Sequence, residues 1–122
     1  MPQYWVVGAM YGGSDDQAPK FIRRGYWLLG WSDTDAPDQA ARRDQIKAGD
    51  RIAIKRMMGT GASDIRITAL GVVTEVDPDD KRVYVNWVAD GMDRVVESKG
   101  AFKSIHGPFA ESDPWVREVF RL

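Results

Sequence analysis

The chain contains no cysteine. Disulfides, thiolate nucleophiles and cysteine-ligated zinc are therefore excluded. Small secreted domains commonly rely on disulfides, so a cytoplasmic location is expected. There is a single histidine, His106. One imidazole with no thiolate and no second histidine cannot assemble the usual zinc ligand set, and no metal is expected. No apolar run approaches the roughly 20 residues of a membrane helix, so no membrane association is expected. The opening Met1-Pro2-Gln3-Tyr4-Trp5 lacks the charged and apolar regions of a signal peptide. A charge surplus is missing too: 17 basic residues face 18 acidic ones. Dedicated duplex binders usually carry a basic excess, so the total gives nucleic-acid binding no support. The distribution is less even. Basic residues cluster at Lys20, Arg23 and Arg24, at Arg42, Arg43 and Lys47, and at Arg51, Lys55 and Arg56.

Catalytic and cofactor motifs are also wanting. No Gly-x-Ser-x-Gly elbow occurs, and no serine, histidine and aspartate are spaced as a triad. Met57-Met58-Gly59-Thr60-Gly61 has glycines but lacks the Gly-Lys-Ser/Thr ending of a phosphate loop. The stretch 8–13 lacks the spacing of a dinucleotide fingerprint. Acidic pairs at Asp15/Asp16 and Asp79/Asp80 suit a helix start and a hairpin turn. No catalytic residue and no cofactor are expected.

Aromatic residues are plentiful: 5 Trp, 4 Tyr and 4 Phe in 122 residues. Such side chains argue for one folded domain spanning 1–122, because they can offset the entropy of ordering the chain. Residues 4–9 form a short run rich in aromatic and β-branched side chains and read as a buried first strand. A turn at Gly12-Gly13 follows, then a helix with Pro19 in its first turn and Gly25 as a left-handed cap. Pro37 starts a second, mostly polar helix running to about Lys47. Residues 51–56 alternate as a strand, and 57–64 read as a loop. Residues 65–76 and 82–88, joined by Asp77-Pro78-Asp79-Asp80, make the clearest hairpin, with Gly71 a bulge or close-approach point. A further strand is expected over 93–97, and a break at Gly107-Pro108. Asp113-Pro114 opens a last short helix, with Trp115, Val116, Val119 and Phe120 on one face. Consecutive strands without crossover helices predict an α+β fold, a small mostly antiparallel β-barrel with two early helices and a short C-terminal one.

Trp27 and Trp31 stand four residues apart around Gly30. Core packing explains many tryptophans. A loop that places two of them between glycines also suits a pocket wall, and flat aromatic faces stack on bases. A methylated base or methylammonium group would be a natural guest. Trp87 is a third candidate wall. Met10 and Tyr11, at the end of the first strand, are expected near that pocket, with Ser32, Asp33 and Asp16 as polar contacts. Arg23, Arg24, Lys55 and Arg56 are the candidates for phosphate contacts.

These residues resemble the PUA-like superfamily, specifically EVE domains and their YTH relatives. A tryptophan-bearing first strand precedes a capped helix and then Gly25-Tyr26-Trp27, which is similar to the YTH run whose tryptophan walls a modified-base cage. Ile46-Lys47-Ala48-Gly49-Asp50-Arg51 looks like the lysine–x–Gly–Asp lead into an EVE barrel strand, and Leu70-Gly71-Val72-Val73-Thr74-Glu75-Val76 like the strand after it. The resemblance implies a PUA-like barrel that reads a modified base flipped from DNA or RNA. It implies a cage wall at Trp27 and base-edge contacts at Asp16 and Gln17. Some such domains serve restriction or defence systems, which implies a separate nuclease or motor protein as partner. The arginine–asparagine stretch usual after the EVE tryptophan is absent, Gly30-Trp31-Ser32-Asp33 standing instead, which leaves the guest base open. Two other readings remain open: a small-molecule-binding or enzymatic barrel of the PUA or ASCH kind, and an interaction module with every tryptophan in its core.

Overall fold

The computed structural model describes residues 2–12, 14–59 and 62–121. The expected turn at Gly13 and the loop residues Thr60 and Gly61 lie outside them.

The first strand, β1 (Tyr4–Gly8), is buried from Tyr4 to Val7. Such a run needs cover on both faces, and it has it. Trp5 and Val7 belong to one hydrophobic cluster, Val6 to another. A small ribbon follows, β2 (Met10–Tyr11) against β3 (Asp15–Asp16). It leads into α1 (Ala18–Arg24), whose Pro lies in the first turn and whose cap Gly25 sits at φ 74°. That left-handed conformation is nearly free of cost for glycine alone. Strand β4 (Tyr26–Trp27) follows. Helix α2 (Pro37–Arg43) is shorter than its polar pattern predicts and stops at Asp44.

Strands β5 (Arg51–Met57), β6 (Asp64–Val76), β7 (Val83–Ala89), β8 (Arg94–Glu97) and β9 (Ile105–Phe109) complete the sheet. Helix α3 (Pro114–Phe120) closes the chain, capped by Asp113, whose carboxylate accepts from Trp115 and Val116 N–H. The sheet order is β4-β7-β6-β5-β1-β9, with β8 also on β6. The fold is α+β, and the sheet curls into a half-barrel.

Three expectations are corrected. The sheet is mixed rather than mostly antiparallel, because β1 lies parallel to β5, Tyr4 opposite Arg51 through Gly8 opposite Lys55. The chain between them, carrying α1 and α2, acts as the crossover that a parallel pair requires. The barrel is also not closed: β4 and β9 remain edges. The segment read as a break at Gly107-Pro108 is part of β9. Proline removes a donor but is tolerated on an edge strand.

Long β6 pairs with β7 through its second half and with β8 through its first. Between the halves its register against β5 shifts, Ile54 facing Ala69 and Lys55 facing Ile67. The extra residue, Thr68, sends Ile65 and Ile67 into the α3-side cluster and Ala69 and Val73 into the other. Gly71 is the expected close-approach point: a Cβ there would collide with Val85 and come within 2.9 Å of the Trp87 ring. No described helix is long and apolar enough to cross a membrane.

Candidate functional site

A deep concavity opens where β1, β5 and the middle of β6 end against the start of α1 and the loops after β7 and before β9. It encloses about 900 Å³. Its walls are largely apolar: Met10, Ala18, Ile22, Ile54 and Ala69, with Met57 and Phe102 at the lip. Four cationic side chains, Arg23, Lys55, Arg56 and Lys103, face two carboxylates, Asp16 and Asp90. One carboxylate is already engaged, since Asp16 pairs with Arg56 at 3.4 Å.

Lys55 is the unusual member. It is only 6% exposed. It sits on β5 with Gly8 of β1 on one side and Ile67 of β6 on the other. A central strand gives a lysine stem no short route to solvent. Its ammonium makes no ion pair among the described residues, and the one polar atom it meets is Met57 Sδ, 3.8 Å away. Burial pushes the amine down to about 8. Neighbouring His106 on β9 is pushed down to about 4, first by burial and then by the charge of Lys55. Its Nε2 accepts from Lys103 N–H at 2.9 Å, which requires the neutral ring.

A second, shallower hollow adjoins the first. Lys20, Arg23, Arg24 and Arg82 line it, with Tyr26 and Tyr84. Arg23 belongs to both. Lys20, Arg23 and Arg24 have no ion-pair partner among the described residues, while Arg82 reaches Asp80 at 3.6 Å and lies 4.6 Å over the Tyr26 ring.

Sequence and structure agree on part of this site. Met10, Asp16, Arg23, Lys55 and Arg56 come together around the cavity, and Arg24 borders the adjoining hollow. The tryptophans do not line it. Trp27 is fully buried and donates Nε1–H to Gly8 O at 2.9 Å. Its ring packs in the main core and offers no face to a guest. Trp87 packs against that core and donates to Phe21 O at 3.0 Å. Trp31 is half exposed, but it reaches the cavity only through its neighbour, donating to the Ser104 hydroxyl at 3.0 Å. Tyr11 donates its hydroxyl to Leu28 O at 2.6 Å, and burial pushes that phenol up to about 12. Gln17 is held by its backbone N–H on Ala9 O. Ser32 accepts from Asp35 N–H, a local turn. Asp33 is bound by buried Arg43 at 3.0 Å, and that hydrogen bond holds its carboxyl below the usual range.

Sequence reasoning missed Phe102, Lys103, Ser104 and Asp90. The one available signal was Phe102, an isolated aromatic side chain between Ala101 and Lys103 that is 55% exposed. Among the described residues, no three His, Asp or Glu side chains group as metal ligands. Comparison with protein-family models, curated proteins and solved structures yields no match.

Proposed function

We propose that the chain is a nucleic-acid-binding module of the EVE/PUA-like kind that takes one extruded base into the 900 Å³ cavity. The observation that carries this reading is Arg23, shared by the cavity and the adjoining basic hollow. A base seated between Met10 and Ile22 would leave its flanking phosphates over Lys20, Arg23 and Arg24. Phosphate neutralisation by such unpaired cations supplies sequence-independent affinity. Apolar walls favour a methylated base, whose methyl group gains from leaving water. The recognition surface is aliphatic, with Phe102 as its aromatic side chain, rather than a tryptophan cage. Extraction costs a few kcal/mol, which contacts inside the cavity must return. The module has no turnover of its own and works beside a separate nuclease or motor protein.

The missing basic surplus leaves a second reading, in which the cations lining the cavity hold a free nucleotide or similar small anion rather than a nucleic-acid strand. Calorimetric titration separates the two. The reader requires a single-stranded oligonucleotide carrying one methylated base to bind more tightly than its unmodified copy and than the methylated mononucleotide. Equal binding of mononucleotide and oligonucleotide favours the small-molecule pocket and overturns the reader.

A further inference from the structure

The cavity holds a charge without a counter-charge. A buried ammonium is costly unless it is paired and hydrogen-bonded. Lys55 has a thioether 3.8 Å away and no carboxylate partner among the described residues. The ammonium lies beside the end of β1, where a Cβ built on the opposing Gly8 would stand 3.6 Å from Nζ, an ordinary contact. The charged groups that face it add to the deficit. Arg56 lies on its own strand, Arg23 on α1 and Lys103 in the loop before β9, against Asp90 in the loop after β7. His106, outside the lining, is neutral and feels both Lys55 and Arg42 of α2. Of the two carboxylates, Asp16 is committed to Arg56.

From this placement we infer that Lys55 Nζ is the seat of an anionic group of the ligand, a carboxylate or phosphate, within the cavity. The inference rests on the cavity being the ligand site, and it adds to a guest seated on the apolar walls an acidic group that reaches Lys55. The anion supplies the missing partner and accepts from an ammonium already held in place. Only the protonated amine can serve. Its pKa of about 8 in the free protein therefore sets the pH at which affinity begins to fall. Between pH 7 and 9 neither His106, at about 4, nor Tyr11, at about 12, changes charge.

The test uses the full chain and three probes: uracil, a uracil carboxylate and inorganic phosphate. Binding is followed by calorimetry and by the Lys55 Cε–Hε NMR resonances at pH 7 and pH 9. The carboxylate or the phosphate is expected to bind at pH 7, uracil at least tenfold more weakly, with about tenfold loss of carboxylate affinity at pH 9, the phosphate being compared at pH 7 alone because it titrates itself. The two anions distinguish a carboxylated guest from a phosphate. Lys55→Met is expected to abolish anion binding while leaving the thermal midpoint unchanged or raised. The inference is overturned if neither anion binds, if Lys55→Met binds like the parent, or if carboxylate affinity is the same at both pH values. The pH comparison is made on the parent protein, so it decides the matter even if the variant fails to fold. Oligonucleotide binding that persists without any anion effect would leave the reader standing and remove the role of Lys55 alone.

Discussion

Trp5 donates its indole N–H to Asp50 Oδ2 at 3.0 Å, tying the first strand to the turn that starts β5. Asp50 is 3% exposed, and its carboxylate also accepts from Lys47 N–H at 3.0 Å and Gln3 N–H at 3.1 Å. This carboxylate therefore ties together the starts of β1 and β5, which lie side by side in the parallel pair. Hydrogen bonds to a charged acceptor are each worth about 1.5–3 kcal/mol, and orphaning buried donors adds a penalty. Asp50→Ala is expected to lower unfolding free energy by about 2–4 kcal/mol. Urea denaturation checks it, and a change within about 0.5 kcal/mol would show the network to be incidental.

Trp27 and Trp31 should behave oppositely. Trp27→Ala removes a fully buried ring from the main core and is expected to cost about 3–5 kcal/mol. Trp31→Ala removes a half-exposed ring with one hydrogen bond, and the thermal midpoint is expected to fall by only a few degrees. Thermal melts of both variants decide between these roles.

The local elements were legible wherever side-chain pattern and backbone demand coincide. Gly25 marked the end of α1, Asp113-Pro114 the start of α3, and Asp77-Pro78 the β6–β7 hairpin. The parallel β1–β5 pair was not legible, because strand direction depends on how an intervening chain crosses the sheet, and no local pattern encodes that. Gly107-Pro108 looked like a break because a missing N–H matters in a central strand but not at an edge. In the site, the structure brings several of the expected charged residues to the cavity and its neighbouring hollow, whereas the expected tryptophans lie elsewhere. Lys20, Arg23 and Arg24 needed only helical spacing to share a face. Trp27 carried no mark of its depth in the core, and Lys55 looked like any strand lysine until its neighbours on both sides were known.

Burial of Lys55 makes stability depend on alkaline pH. The unfolded chain keeps its proton to about 10.5, and the folded amine releases it near 8. The unfolded state binds more protons across that window, so stability rises with pH there. The increment is on the order of 3 kcal/mol. Urea denaturation of the parent and Lys55→Met at pH 7.5 and pH 10 should show a gain for the parent relative to the variant. Parallel behaviour of the two would contradict the burial of a charged amine.

The opposite limb belongs to His106. Its folded pKa is depressed to about 4 against an ordinary 6.5, so the unfolded chain takes up the proton first on acidification. Stability is expected to fall between pH 6.5 and 4, where protonation also competes with the Lys103 N–H bond at Nε2. His106→Gln should flatten that limb, as read from thermal midpoints across the range. An unchanged slope would place the acid sensitivity elsewhere.

The most direct test of the reader is fluorescence anisotropy of a labelled single-stranded oligonucleotide bearing one methylated base, titrated at several salt concentrations. Three phosphates over Lys20, Arg23 and Arg24 predict a log–log salt slope of about −2. Arg23→Glu with Arg24→Glu should weaken binding at least tenfold at low salt while leaving the fold intact, because both side chains are exposed and lack ion-pair partners among the described residues. Binding without salt dependence, or the same affinity in the doubly charge-reversed variant, would contradict the account.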